Sequence, residues 1–285
     1  MSYAIEQIRR MRGGAQSQLM RCSDGNYYVV KFQNNPQHRR ILVNELLGTR
    51  LARRLGLPTT PVEVIHVSDD LIRLTPELCI EMPRARIPCQ AGPQFGSRYP
   101  GDLRRLTLHD FLPDEHLRAV ENLHHFAGML VFDKWTCNTN GRQTLFFRED
   151  PRRAMQRVNE AGEAGNWPED REASNTTVMI DQGFCFNAGE WTYPDAPLRG
   201  LYARNRVYEG VIGMESFAPW MERAEKSITD RVLEEMVREV PPEWYEDDYD
   251  ALMRLVEQLH RRRTRVPDLL LAAKNTTRQP FPNWR

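Results

Sequence analysis

Five polar residues follow one another along the chain in an order that suits phosphoryl transfer. They are Lys31 at the end of an apolar run, Glu45 fourteen residues later, Asp133, Asn138 and, further on, Asp181 in an Asp-Gln-Gly triplet. A phosphotransfer site needs a cation on the nucleotide phosphates, a carboxylate that holds this cation, and oxygen ligands for magnesium. Each feature is common by itself, but their order predicts a site of the protein-kinase type.

The densest polar segment is FDKWTCNTNGRQTLFF, which contains Asp133, Asn138, Asn140 and Gln143. It joins a predicted core helix to an apolar strand, and such a loop can aim polar groups at a cleft. Asp133 and Asn138 have the spacing of a kinase base and its metal ligand. Asn140 and the glycine after it also form a common turn dipeptide. A catalytic loop and a purely structural turn are therefore both open.

The segment VMIDQGFCFN places Asp181 directly after a short apolar strand and two positions before a glycine. A metal-binding aspartate of the Asp-Phe-Gly type lies in this setting, so Asp181 is the predicted metal ligand. The alternative is an aspartate that opens an ordinary turn.

Gly13 and Gly14 precede the first predicted strand, together with Gln16 and Ser17. Without side chains in the way, backbone N–H groups here can approach phosphate oxygens. The segment follows neither the Walker pattern nor G-x-G-x-x-G. A phosphate loop and a tight turn without a ligand are equally supported.

Residues 1–90 are predicted to form a β-rich N-lobe. QSQLMRCSDGNYYVVKF reads as two strands joined at an Asp-Gly turn, which places Lys31 on a strand. The apolar residues that follow recur with helical spacing, so Glu45 lies on a helix. LCIEMPR is predicted to be a strand that leads into a hinge, where Glu81 and Met82 would face the nucleotide.

Residues 91–285 are predicted to form a mainly helical C-lobe. Its first part, from Gly92 to Asp114, is rich in glycine, proline and charge and is typical of a loop or a short helix. Residues 149–175 are polar and poor in aliphatic side chains, which predicts an exposed, disordered insertion between two strands. The last ninety residues contain amphipathic helices on either side of a Pro-Pro break.

Composition narrows the class of protein without identifying a partner. The chain has 285 residues, and Lys plus Arg equals Asp plus Glu at 39 each, so no global field attracts it to nucleic acid or to an acidic membrane. The five cysteines include no C-x-x-C pair. Neither a secretory signal nor a run of about 18 apolar residues is found. These features predict a cytoplasmic protein with no membrane partner.

Taken together, the segments resemble the HipA-like kinases, relatives of the bacterial serine/threonine kinase toxin HipA and, more remotely, of the phosphatidylinositol 3- and 4-kinases. The similar segments, spread over nearly the whole chain, are RGGAQSQ, VVKF, NELLGTRLARRLGLP, FDKWTCNTNGRQ, IDQGFCFN, VPPEWY and RRRTRVPDLL. The resemblance implies an α+β, two-lobed protein-kinase-like fold, with an ATP site between the lobes and Mg²⁺ as cofactor.

The resemblance makes Lys31 the phosphate-contacting lysine, Glu45 its helix partner and Asp181 the magnesium ligand. The catalytic loop departs from the family pattern, because Asn140 stands where the aspartate base is expected. An amide cannot take up the proton of the substrate hydroxyl as a carboxylate does. Gln143 would then replace the missing metal-binding asparagine. In a second register Asp133 is the base and Asn138 the metal ligand.

Three functions follow from this comparison. The first is an ATP- and Mg²⁺-dependent kinase that phosphorylates a hydroxyl group of an unknown protein, on serine or threonine. The second is a nucleotide-binding pseudokinase or regulatory module without phosphotransfer, as Asn140 suggests. The third is an adaptor that binds no nucleotide.

Overall fold

The N-terminal part of the chain is a closed β-barrel in the computed structural model, which describes residues 2–100, 108–148 and 175–285. Its strands, in chain order, are β1 (Ser2–Arg10), β2 (Gln18–Cys22), β3 (Tyr27–Lys31), β4 (Val62–Val67), β5 (Cys79–Met82), β6 (Ala85–Pro88) and β7 (Gly92–Arg98). Five of them form the barrel in the order β1, β2, β3, β7, β4. The predicted hairpin of β2 and β3 is confirmed.

The barrel closes through a short parallel contact between β1 and β4, which pairs Ser2 with Ile65 and Tyr3 with His66. The other barrel pairings are antiparallel. Buried apolar side chains fill the interior, among them Met20, Tyr28, Val30, Phe32, Ile65 and Val67. Burial of this apolar surface stabilises the barrel that carries Lys31.

Strands β5 and β6 form a separate two-stranded hairpin that lies between β4 and β7 in the sequence. After the hairpin the chain re-enters the barrel as β7, which pairs with both β3 and β4. The prediction of a hinge at Glu81 and Met82 is therefore wrong, since another barrel strand follows them. Residues 92–98 were expected to be a loop or a short helix, and they form a strand instead.

The helices, in chain order, are α1 (Ile41–Arg54), α2 (Asp69–Leu74), α3 (Asp114–Leu117), α4 (His125–Trp135), α5 (Ala218–Ser227), α6 (Asp230–Arg238), α7 (Tyr249–Arg262) and α8 (Val266–Lys274). Helices α6 and α7 confirm the two amphipathic segments predicted near the C-terminus. A 3₁₀ turn at Pro242–Trp244 separates them at the Pro-Pro break. No helix in the described ranges is both long and apolar enough to cross a membrane.

Helix α1 is buried along most of its length, from Ile41 to Ala52 apart from Arg50. The helix contacts the barrel strands β4 and β7 as well as helices α5 and α6. Arg223 of α5 donates a hydrogen bond to the Leu55 carbonyl at the end of the helix (3.1 Å). Gly56 follows with φ of +73°, the left-handed conformation that ends many helices.

The C-terminal part surrounds helix α4, in which the residues from Phe126 to Trp135 are buried. A three-stranded sheet packs nearby, formed by β8 (Leu108–His109), β9 (Gln143–Arg148) and β10 (Asn175–Ile180) in the order β10, β9, β8. Strand β10 ends directly before Asp181. The insertion predicted for residues 149–175 falls, apart from Asn175, outside the described residues.

Candidate functional site

Lys31 lies at the centre of a group of charged side chains that three separate elements bring together. Its Nζ contacts Glu45 Oε1 and also donates a hydrogen bond to Asp181 Oδ1 at 2.8 Å. Strand β3 supplies Lys31, helix α1 supplies Glu45, and the turn after β10 supplies Asp181. The backbone N–H of Gln182 also donates to Glu45 Oε2 (3.0 Å). The three residues are thus in direct contact.

Charge in this group is unbalanced, because one ammonium faces two carboxylates. Burial alone would lower the pKa of Lys31, but Glu45 and Asp181 raise it above its ordinary value. Burial raises the pKa of Glu45, and the facing Asp181 carboxylate adds to this effect. For Asp181, burial is outweighed by the charge of Lys31, so its pKa lies below its ordinary value. Asp181 is therefore an ionised carboxylate at neutral pH, and its oxygens can bind a metal ion.

The turn that carries Asp181 is tightly packed against helix α1. Asp181 has φ of +61°, in the left-handed region that residues other than glycine rarely adopt. A Cβ atom at Gly183 would lie 2.7 Å from Ile41 Cγ2 and 3.1 Å from Glu45 Oε1. The helix therefore requires a glycine at this position, which explains the Asp-Gln-Gly triplet.

Asp133 lies at the C-terminal end of α4 and is completely enclosed. Its side chain contacts Arg142 Nη2, accepts a hydrogen bond from Arg142 Nε at 2.9 Å, and accepts another from Asn138 Nδ2 at 2.9 Å. Arg142 Nη1 extends the network to the carbonyl of Ile180 (2.9 Å). A Cβ at Gly200 would lie 2.4 Å from Asp133 Cβ, so the chain also covers this residue closely.

This geometry contradicts the register in which Asp133 is the base and Asn138 a metal ligand. The exposed fraction of each residue is 1%, and the two side chains are hydrogen-bonded to each other. Asn138 Oδ1 also accepts a hydrogen bond from the backbone N–H of Asn140 at 3.1 Å. Asp133 and Asn138 therefore stabilise the loop, and no hydrogen bond among the described residues joins them to Lys31, Glu45 or Asp181.

The other two residues of the loop are more accessible. Asn140 is half-buried, and its carbonyl oxygen accepts a hydrogen bond from Gly200 N–H (3.2 Å). Gln143 is exposed and begins strand β9, where it pairs with Ile180, the residue before Asp181. Strand pairing thus places Gln143 close to the turn that carries the predicted metal ligand.

The glycine-rich segment has an open part and a tethered part. Gly13 has φ of +121°, and a Cβ there would meet no atom within 4 Å, whereas Gly14 lies against Gln37. The Gln16 amide donates to the carbonyl of Glu81 and accepts from the N–H of the same residue, each at 2.8 Å. The side chain of Gln16 thus ties the segment to the β5–β6 hairpin.

Among the described residues, no hydrogen bond joins Lys31 to the other residues that were predicted to contact the nucleotide. Ser17 is buried next to strand β2. The Glu81 carboxylate forms an ion pair with Arg10 at 2.9 Å, and Met82 lies exposed on the hairpin. Gln16 and Glu81 therefore have structural partners of their own.

A model of the family described as "HipA-like kinase" matches residues 4–146, which is half of the sequence and includes Lys31, Glu45 and Asn140. The chain belongs to the HipA-like kinase family. Comparison with curated protein sequences gives no match.

A solved kinase structure shares the fold of this HipA-like kinase. The Golgi casein kinase is 10% identical, with a TM-score of 0.50 over 96% of this chain and 73% of its own. Hydra Fam20 with sugar is 9% identical, with a TM-score of 0.48 over 96% and 84%. The Helicobacter pylori proinflammatory kinase CtkA is 11% identical, with a TM-score of 0.46 over 94% and 96%. The predicted α+β, two-lobed protein-kinase-like fold is confirmed.

The donor set of this HipA-like kinase suits a hard cation that is shared with phosphate groups. Among the described residues, no group of three or more His, Cys, Asp or Glu side chains could hold a metal ion by itself. Mg²⁺ is commonly held by one or two carboxylates, with phosphates and water completing its octahedron. The ionised, partly exposed Asp181 fits that role.

Two buried polar residues were missed by sequence reasoning. Asn44 precedes Glu45 on α1 and contacts the segment that follows Asp181. Lys134 follows Asp133 on α4, and its Nζ donates hydrogen bonds to the carbonyls of Pro197 (2.5 Å) and Arg199 (2.6 Å). Burial lowers the pKa of Lys134 to about 8. Both residues are polar positions in largely apolar helices. Buried polar groups need hydrogen-bond partners, so this pattern could have identified both residues from the sequence.

Proposed function

We propose that this member of the HipA-like kinase family transfers phosphate from ATP, with Mg²⁺, to a hydroxyl group of a protein serine or threonine. The observation that carries the proposal is the contact of Lys31 with both Glu45 and Asp181. Kinases use such a lysine–glutamate pair, together with a metal-binding aspartate, to hold the nucleotide phosphates.

In this proposal each residue of the group has one task. Lys31 contacts the phosphates of ATP while Glu45 keeps its ammonium in place. Asp181 would hold Mg²⁺, which when bound supplies charge that offsets the phosphate oxygens during transfer. Gln143 is the proposed second oxygen ligand, because strand pairing places it opposite the residue before Asp181.

The nucleotide would lie between the barrel and the helical part, under the backbone of Gly13 and Gly14. The open space around Gly13 supports this placement. We place the division between the lobes after Arg98 rather than at residue 90, because β7 hydrogen-bonds within the barrel.

Asn140 is the proposed residue next to the acceptor hydroxyl. It cannot take up the proton, but loose phosphoryl-transfer transition states depend mainly on positioning and charge stabilisation. The expected enzyme is therefore slow. The amide at this position also favours a second candidate function, a nucleotide-binding regulatory module without phosphotransfer.

Thermal unfolding with and without ligand tests the nucleotide site that both candidates share. A ligand that binds only the native state stabilises it, by about 2.7 kcal/mol at a hundredfold excess over Kd. ATP should raise the melting temperature, and Mg²⁺ should increase this effect. No shift at millimolar nucleotide would contradict both candidates. Transfer of label from ATP to a panel of serine- and threonine-containing proteins then separates the kinase from the regulatory module.

A further inference from the structure

Asn44 is a fully buried amide at the junction of helix α1 and the segment after Asp181. Its exposed fraction is 0%. Its Nδ2 donates hydrogen bonds to the carbonyls of Gly183 at 2.8 Å, Cys185 at 3.0 Å and Ala188 at 2.8 Å. Its Oδ1 accepts a hydrogen bond from the indole Nε1 of Trp191 at 2.9 Å. The amide thus binds four groups of one segment.

The segment that Asn44 holds has an unfavourable backbone conformation. Phe186, Asn187 and Ala188 are consecutive residues with φ of +59°, +58° and +57°. Residues with a Cβ rarely adopt this region, and such conformations persist only where surrounding contacts impose them. The hydrogen bonds of Asn44 join residues before this strained turn, its last residue Ala188 and Trp191 after it. They act together with the bonds that the N–H groups of Phe186 and Asn187 donate to the carbonyls of Thr136 and Cys137.

Helix α1 therefore holds the first and the third peptide group after Asp181 through two consecutive residues. Glu45 accepts a hydrogen bond from the N–H of Gln182 at 3.0 Å, and Asn44 donates one to the carbonyl of Gly183. Because Asp181 itself has φ of +61°, its carboxylate direction depends on this backbone being fixed. Loss of either contact frees the turn to relax away from Lys31.

We propose that Asn44 is a positioning residue that fixes the Asp181 carboxylate for a divalent cation. The inference rests on the proposed function, since it concerns the same nucleotide site. Residues that orient metal ligands through hydrogen bonds commonly contribute roughly 10- to 100-fold to metal affinity. No hydrogen bond among the described residues joins Asn44 to Lys31 or to the Asp181 carboxylate, so Asn44 acts on the carboxylate through the backbone that follows it.

The test compares the melting shift caused by ATP alone with that caused by ATP and Mg²⁺, in full-length wild type and variants. Asn44→Ala should keep the shift from ATP alone and lose most of the Mg²⁺-dependent increment, with an apparent Mg²⁺ affinity lowered by about 10-fold or more. Leu252→Ala is the control, because it removes a fully buried side chain from α7, away from the site. It should lower the melting temperature and keep the increment.

A milder variant covers the case in which Asn44→Ala does not fold. Trp191→Phe keeps an aromatic ring beneath Arg40 and removes the donor to Asn44 Oδ1 together with part of the ring volume, so the Mg²⁺ affinity should fall by a few-fold. If wild type and the folded variants show the same Mg²⁺-dependent increment of the melting shift, the proposed role of Asn44 is wrong and the proposed function is unaffected. A wild type that binds no nucleotide at all would overturn the proposed function and this inference together.

Discussion

At the scale of single residues, Asp181 is expected to carry the metal dependence of nucleotide binding. Asp181→Ala should abolish the Mg²⁺-dependent part of ATP binding and leave the fold intact, because it removes an oxygen ligand from a turn rather than a core side chain. Lys31→Ala should weaken ATP binding with or without Mg²⁺, which separates the two roles. Calorimetric titration measures both. An equal effect of Mg²⁺ on wild type and Asp181→Ala would show that the metal is held elsewhere.

Asn140 is expected to limit the rate of phosphotransfer. Asn140→Asp should raise any turnover, since it places a proton acceptor at the position proposed to lie next to the acceptor hydroxyl. General-base catalysis typically contributes roughly 10²- to 10⁴-fold, with smaller gains for a loose transition state. Labelled ATP and an accepting protein give the measurement. If neither protein transfers phosphate while both bind ATP, the regulatory module is the better description.

Asp133→Asn tests the structural role of the buried ion pair between Asp133 and Arg142. The substitution leaves the Arg142 guanidinium without its counter-charge, and breaking a buried ion pair in this way typically costs about 3–5 kcal/mol. Denaturant unfolding should show that loss. Loss of activity with the stability unchanged would instead return Asp133 to the catalytic role.

At the scale of elements, His125 makes helix α4 sensitive to acid. Burial, with a contribution from the neighbouring His124, lowers the pKa of His125 to about 4, and Arg223 adds to this effect. Between pH 6.5 and 4 the unfolded chain holds a proton on this residue that the folded chain excludes. The free energy of unfolding therefore falls as the pH falls through this window.

His125→Gln removes that titration, so the free energy of unfolding should change less between pH 6.5 and 4 than in wild type. Carboxylates titrate in the same range, and for this reason the difference between the two proteins is the quantity to measure. Denaturant unfolding at several pH values provides it. Parallel curves would show that His125 is protonated equally in both states.

The elements with strong local signals were predictable from the sequence. An Asp-Gly turn specifies the hairpin of β2 and β3, and apolar spacing specifies helix α1, so Lys31 and Glu45 could be assigned to the correct elements. Strand β7 could not be, because it contains Gly92, Pro93 and Gly96. Its place between β3 and β4 overrides that weak local preference for a strand.

The charged residues of the candidate site could be predicted from the sequence, but the contacts that hold them in place could not. Lys31 and Asp181 stand in the order that the chemistry requires, whereas the burial of Asp133 depends on contacts with Arg142 and Gly200. These lie 9 and 67 residues further along the chain, and local spacing carries no information about such contacts. Asn44 was missed for the same reason, since its partners are about 140 residues away.

At the scale of the whole molecule, helix α1 joins the barrel to the helical part. Trp244, which follows α6, is fully buried and donates a hydrogen bond from its Nε1 to the carbonyl of Pro93 on β7 at 2.9 Å. Arg50 of α1 forms an ion pair with Glu239. Because these contacts join the barrel and the helical part directly, we expect the two parts to unfold together.

Trp244→Phe should lower the stability of both parts together, by about 1–3 kcal/mol, because it removes the indole donor to the Pro93 carbonyl and leaves part of a fully buried ring site empty, while Gln33 Nε2 still donates to that carbonyl. Hydrogen exchange of amides in β3 and in α7 reports on the two parts separately. Both sets should lose protection by the same free energy. Loss confined to β3 would show that the barrel unfolds by itself.

The segment after Asp181 is held in large part through its main chain, and this leaves its exposed side chains free to vary. Asn44 and Lys134 bind carbonyl oxygens between Gly183 and Arg199, and every amino acid has such an oxygen. Exchanging exposed side chains here, such as that of Leu198, leaves these anchors unchanged. Evolution, or a library of variants, can therefore alter the surface of this segment without rebuilding the site beneath it.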